Sequence, residues 1–179
     1  MGQLAERLGQ VIAEARSPDG GLWASFRGSD DLQAGFAPGA YRRYSPADLE
    51  RRLGALAAVL WARYRREYLE VVAAWADSDA DPEQNAEDRR FQQALEQLDV
   101  AGTSPARWVR VTSRALASWD FRLRPETLRV LPEHEFLAET TGAVTALLAD
   151  HRAKTILLTD EVYDIGLPRS MREAGAQHP

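Results

Sequence analysis

Arg107, Arg110 and Arg114 recur at spacings of three and four. On a helix that spacing brings three guanidinium groups within about 60° of one another, a face suited to anionic partners such as phosphates or carboxylates. Trp108, Thr112, Ala115 and Trp119 then form the opposite, apolar face. Glu67 falls in the arc of Leu49, Leu53, Leu56 and Leu60, with Arg63 one turn earlier. A carboxylate in such a stripe either pairs, here with Arg63, or lines a pocket. His151 lies near the arc of Phe136, Thr140, Val144 and Leu147, where an imidazole serves as a cap, a core-edge residue or a proton carrier. A pocket near Glu67 and His151 is therefore the place where small-molecule or acid–base chemistry would be sought.

The remaining signals for chemistry are missing. The chain has no cysteine, which excludes disulfides, thiolate zinc, iron–sulfur ligation and a thiol nucleophile. It carries no His-Glu-x-x-His, no aspartate-rich calcium loop, no glycine-rich phosphate loop and no Gly-x-Ser-x-Gly elbow. No metal and no cofactor are expected, and the reading leans away from an enzyme.

These side chains must be positioned by elements of a 179-residue chain that is 45% hydrophobic and 27% charged, proportions of an ordinary folded domain. Helical spacing runs through residues 3–16 and stops at Ser17-Pro18-Asp19-Gly20-Gly21. Residues 20–44 lose all periodicity and interleave Gly20, Gly21, Gly28, Gly35 and Gly39 with Trp23, Phe26, Phe36, Tyr41 and Tyr44, as in a wrapped surface segment or a lid. Ser45-Pro46 with Asp48 is a helix start, and Leu49, Leu53, Leu56, Leu60, Tyr64, Tyr68, Val71 and Trp75 continue it. Over residues 46–76 this rod is about 46 Å long, longer than one compact subunit covers. Its stripe is widened by Trp61 and Val72, so Trp61, Tyr68, Val72 and Trp75 are the expected interface with a second subunit.

Further helices are expected over residues 82–98, from Ser104-Pro105 through Trp119, and from Pro132 through Leu148, while residues 155–159 read equally as strand or helix. The sequence has no evident internal repeat and no βαβ alternation. The expectation is an all-α helical bundle with one long central helix, a single domain over residues 1–168 and a flexible tail over 169–179.

With 22 basic against 27 acidic residues the chain is net −5, which argues against a general polyanion binder. Residues 77–100 hold 8 acidic and 2 basic residues and stand between two basic blocks, whose arginine face they are placed to neutralise. Leu95, Leu98, the turn at Gly102, Thr103-Ser104-Pro105 and the arginine-faced helix make residues 94–116 resemble a helix-turn-helix; that resemblance implies a DNA-binding regulator. No window reaches the roughly 18 apolar residues of a membrane span, and the first 16 residues alternate charge with apolar positions, so a cytoplasmic protein is expected. The leading functional expectation is a non-catalytic interaction protein, an adaptor or regulatory subunit, which associates with itself as a homodimer.

Overall fold

The computed structural model describes residues 2–28, 31–74 and 84–166. It is a mixed α/β protein, not an all-α bundle. Helix α1 (Gly2–Gly9) leads into strands β1 (Ile12–Arg16), β2 (Leu22–Arg27) and β3 (Asp31–Phe36). A single 3-10 turn (Tyr41–Arg43) and the long helix α2 (Pro46–Ala73) follow. The second half repeats this order with α3 (Gln84–Glu96), β4 (Asp99–Thr103), β5 (Val109–Arg114), β6 (Ser118–Leu123), the short α4 (Thr127–Val130) and the long α5 (Glu133–Tyr163). Each half holds one antiparallel three-stranded meander, β1-β2-β3 and β4-β5-β6.

The two halves are one plan used twice, with an offset of 87 residues. Strands open at Ile12, Leu22 and Asp31, and again at Asp99, Val109 and Ser118. Backbone contacts repeat at the same offset. Ser17 N donates to Leu22 O and Ser104 N to Val109 O, while Gly28 N donates to Val11 O and Ala115 N to Leu98 O. Left-handed backbone recurs too: Gly20 (φ 68°) matches Arg107 (φ 59°), and Gly28 (φ 57°) matches Ala115 (φ 55°). Only the first half places glycine there, where a Cβ is unfavourable. The repeat that the sequence conceals is therefore a repeat of geometry. Ser17-Pro18 and Ser104-Pro105 are among its few literal traces.

Three expected features are corrected. The segment 3–16 is split between α1 and β1, because Val11, Ala13 and Ala15 alternate inward with the period of a strand after the break at Gly9. The aperiodic stretch 20–44 is mostly β2 and β3, its glycines placed at turns and beneath the Trp23 ring. The helix expected from Ser104 is the hairpin β5–β6, in which Val109, Val111 and Ser113 are buried alternately. With β4 in place of its first helix end and β5 in place of its recognition helix, residues 94–116 are not a helix-turn-helix.

The long helices form as their sequences require. Ser45 accepts a hydrogen bond from Asp48 N (3.2 Å) and Pro46 occupies the first turn. Residues 155–159 are helical, inside α5. Each long helix packs on its own sheet and on the edge strand of the other: α2 on β1, β2 and β6, and α5 on β4, β5 and β3. The apolar stripe Leu49, Leu53, Leu56, Leu60 and Tyr64 is thereby enclosed within a single chain. A cavity of about 70 Å³ remains between the halves, lined by matched pairs such as Leu32 and Trp119, or Trp61 and Leu148.

The strand turns are tied to the helices by charge. In the first half Asp19 accepts from Ser17 Oγ (2.5 Å), Tyr44 Oη (2.7 Å) and Gly21 N (3.2 Å), and lies 3.0 Å from Arg52 of α2. The hydrogen bonds from Ser17 and then Tyr44 lower its pKa to about 2. The unfolded chain binds this proton near pH 3.8, so the stabilisation is complete above about pH 4 and is lost as pH falls from there towards 2. Asp19→Asn is expected to remove that part of the acid unfolding curve, measured by circular dichroism between pH 5 and about 2. An unchanged acid limb refutes the assignment. At the position of Arg52, the second half has Glu139, which accepts from Ser104 Oγ, Ala106 N (3.3 Å) and Trp108 N (3.4 Å).

Candidate functional site

A groove of about 1230 Å³ lies in the second half. One wall is the sheet β4-β5-β6. In β5, Val109, Val111 and Ser113 point inward, so Arg110, Thr112 and Arg114 stand on the opposite side and line the groove. The other wall is α5, where Ala146, Ala149, Ala153, Ile156 and Leu157 share one helical side with Asp150 and Lys154. Three alanines at this spacing keep that wall low and apolar.

The free edge of β4 runs through the groove and is covered by side chains. Asp150 Oδ2 accepts from Ala101 N (3.0 Å), and Lys154 Nζ donates to Asp99 O (2.9 Å) and to Asp150 (2.9 Å). The chain has one lysine against 21 arginines, and it is used here, on a sheet edge. At the matched place in the first half, Arg63 Nη1 donates to Glu14 O of β1 (2.5 Å). Glu50 Oε1 likewise accepts from Leu123 N at the β6 edge (2.7 Å). Side chains from the helices thus block three edges against strand addition.

The sites expected from sequence are only partly brought together. Arg110 and Arg114 share the groove, but Arg107 sits in the β4–β5 turn, outside its lining. Arg114 holds Asp99 in a two-pronged pair (3.0 and 3.1 Å), which lowers the Asp99 pKa and raises that of Arg114. Arg110 has no ion pair among the described residues, which leaves it as the groove's open cation. Glu67 is half-exposed and meets Arg66 (3.4 Å), whereas Arg63 is engaged with β1. Of the expected interface residues, Tyr68 stands 6.2 Å from the Tyr64 ring and is 38% exposed, Val72 is half-buried, and Trp61 lines the cavity. Trp75, the tail 169–179 and residues 77–83 of the acidic block lie outside the described residues. The groove residues that sequence reasoning passed over are Asp150 and Lys154, although their i,i+4 pairing was a visible signal.

His151 is half-buried against Trp61, with ring centroids 6.5 Å apart. Burial lowers its pKa; Asp150 opposes that shift and Arg152 adds to it. The folded state thus binds this proton less readily than the unfolded state, so stability falls as pH drops below the ordinary histidine value of 6.5. Tyr64 occupies the matched position in α2, so His151→Tyr is expected to abolish this dependence. Thermal melts at pH 7.5 and 5.5 that show the same loss in both proteins would contradict it.

Among the described residues no group of three or more His, Asp or Glu side chains is placed to hold a metal ion. The carboxylates lining the groove are bound to arginine, lysine or main chain. No described helix is long and apolar enough to cross a membrane. No family model matches the chain, and no significant similarity to a curated protein or to a solved structure is found.

Proposed function

We propose that the protein is a non-catalytic cytoplasmic interaction protein, an adaptor or regulatory subunit, that takes a segment of polypeptide in the groove between β4-β5-β6 and α5. The observation that carries this reading is the groove itself. At about 1230 Å³ it exceeds the roughly 300–1,000 Å³ usual for small-molecule pockets. It also joins a low apolar wall to a polar wall with an uncommitted guanidinium at Arg110. An amphipathic segment satisfies both walls at once, with apolar side chains over the alanines and a carboxylate at Arg110.

The test is site-specific photocrosslinking in cells that make the protein, with benzoylphenylalanine at exposed Ala149 and, as control, at Gln33 on the outer face of the first sheet. The expected result is a discrete polypeptide adduct from position 149, absent from position 33 and reduced at least about tenfold by Arg110→Glu, the size expected for a charge pair in a partly desolvated site. No adduct at 149, or equal labelling at both positions, rejects the proposal.

A further inference from the structure

The 87-residue match gives every groove residue a counterpart in the first half, and the two surfaces are complementary. Ala146 corresponds to Val59, Ala149 to Ala62 and Ala153 to Arg66, so α2 presents a ridge where α5 presents a groove. The charges are reversed in order: Asp150 then Lys154 on α5, Arg63 then Glu67 on α2. Exposure follows the same map. Ile12, Val59 and Leu69, exposed by 45%, 46% and 50%, occupy the positions matched to Asp99, Ala146 and Ile156, all of which line the groove. At two of these places, Ile12 and Val59, the first half exposes a large apolar side chain where the second half has Asp99 and Ala146; at the third, Leu69 and Ile156 are both apolar and each 50% exposed, a pair able to pack on one another.

We infer that the groove's occupant is the outward side of α2 from a second copy of this chain, laid beside α5 in the same direction. Val59 then covers Ala146, Arg63 meets Asp150, Glu67 meets Lys154 and Leu69 packs on Ile156. This inference rests on the groove reading above and names its partner. The contact joins two different surfaces, so a pair of copies retains one free ridge and one free groove between them, and association is head-to-tail rather than a closed symmetric dimer.

Sedimentation velocity over a concentration series tests this. The wild-type chain, 19.9 kDa as a monomer, is expected to grow with concentration past the mass of a dimer. Leu69→Glu disables the ridge and Ala149→Arg fills the groove; both sites are exposed, and circular dichroism is expected to show native folds. Each variant alone is expected to remain monomeric. Mixed in equal amounts they are expected to form a 1:1 dimer and nothing larger, because one intact ridge and one intact groove remain. A wild type that stays monomeric, variants that still assemble, or a mixture without the dimer overturns the inference. If the wild type is monomeric while position 149 crosslinks to another protein, the groove reading stands and only the partner is wrong. If no adduct forms either, both fail.

Discussion

Gly102→Ala is expected to lower the melting temperature by about 6–12 °C, a cost of roughly 3 kcal/mol or more at 2–4 °C per kcal/mol for a chain of this size. A Cβ at Gly102 would stand 2.1 Å from Ala143 O and 2.4 Å from Leu147 N, both main-chain atoms of α5. No rotamer change relieves such a clash, so α5 must move off β4, the strand whose edge Asp150 and Lys154 cover. The matched residue in the first half is Ala15, which is 3% exposed, so the equivalent place under α2 accommodates a methyl that the place under α5 does not. Gly9 has open space where a Cβ would go, and Gly9→Ala is the control, with a shift within about 2 °C expected. Equal shifts in the two variants would show that close approach at Gly102 does not set the position of α5, and with it the shape of the groove.

The same packing explains why the helices were legible in the sequence and the strands were not. Residues four apart share a face on a helix, where they differ by about 40°, and also on a strand, where they differ by an even count. Trp108, Thr112, Ala115 and Trp119 satisfied a helical reading through such spacings, while the alternation of Val109, Val111 and Ser113 between them marked the strand. Arg110 and Arg114 share a surface under either period. Arg107, an odd step away, shares it only on a helix, and it is the one that falls outside the groove. The rod from Pro46 is legible because its cap and proline have one meaning, whereas its apolar stripe looks surplus until the sheet β4-β5-β6, which has no helical signature, is seen to cover part of it.

The groove was half legible. Its arginines were found, its use of Asp150 and Lys154 was not, because their value depends on a sheet edge that no helical reading supplies. The repeat of geometry is hidden in the sequence for a related reason. The positions that define it are backbone angles and buried faces, and these accept Gly20 or Arg107, Leu49 or Phe136, Arg52 or Glu139 without preserving residue type.

Phe136→Ala is expected to destabilise the whole chain, not one half, by about 3–5 kcal/mol. Phe136 is fully buried at the start of α5, yet its nearest rings belong to the first half: Tyr41 at 5.4 Å and Phe36 at 6.0 Å. Tyr41 returns the link by donating its hydroxyl to Leu131 O (2.8 Å), in a setting whose burial pushes its pKa up to about 12. Glu50 of α2 also binds Leu123 N, and Gly54 lets α2 lie against Trp119 O, so the halves are joined by contacts from both long helices. With each long helix packed on the other half, unfolding one half exposes the apolar faces of the other, and the cost is shared. Far-UV circular dichroism and tryptophan emission are therefore expected to give one coincident transition in the wild type. In Phe136→Ala the transition is expected to remain coincident with a midpoint lower by about 6–20 °C. Two separated transitions in the wild type, or a midpoint shift under about 3 °C in the variant, would mean that each half stands on its own core. The matched positions would then record a common plan without a common fold energy.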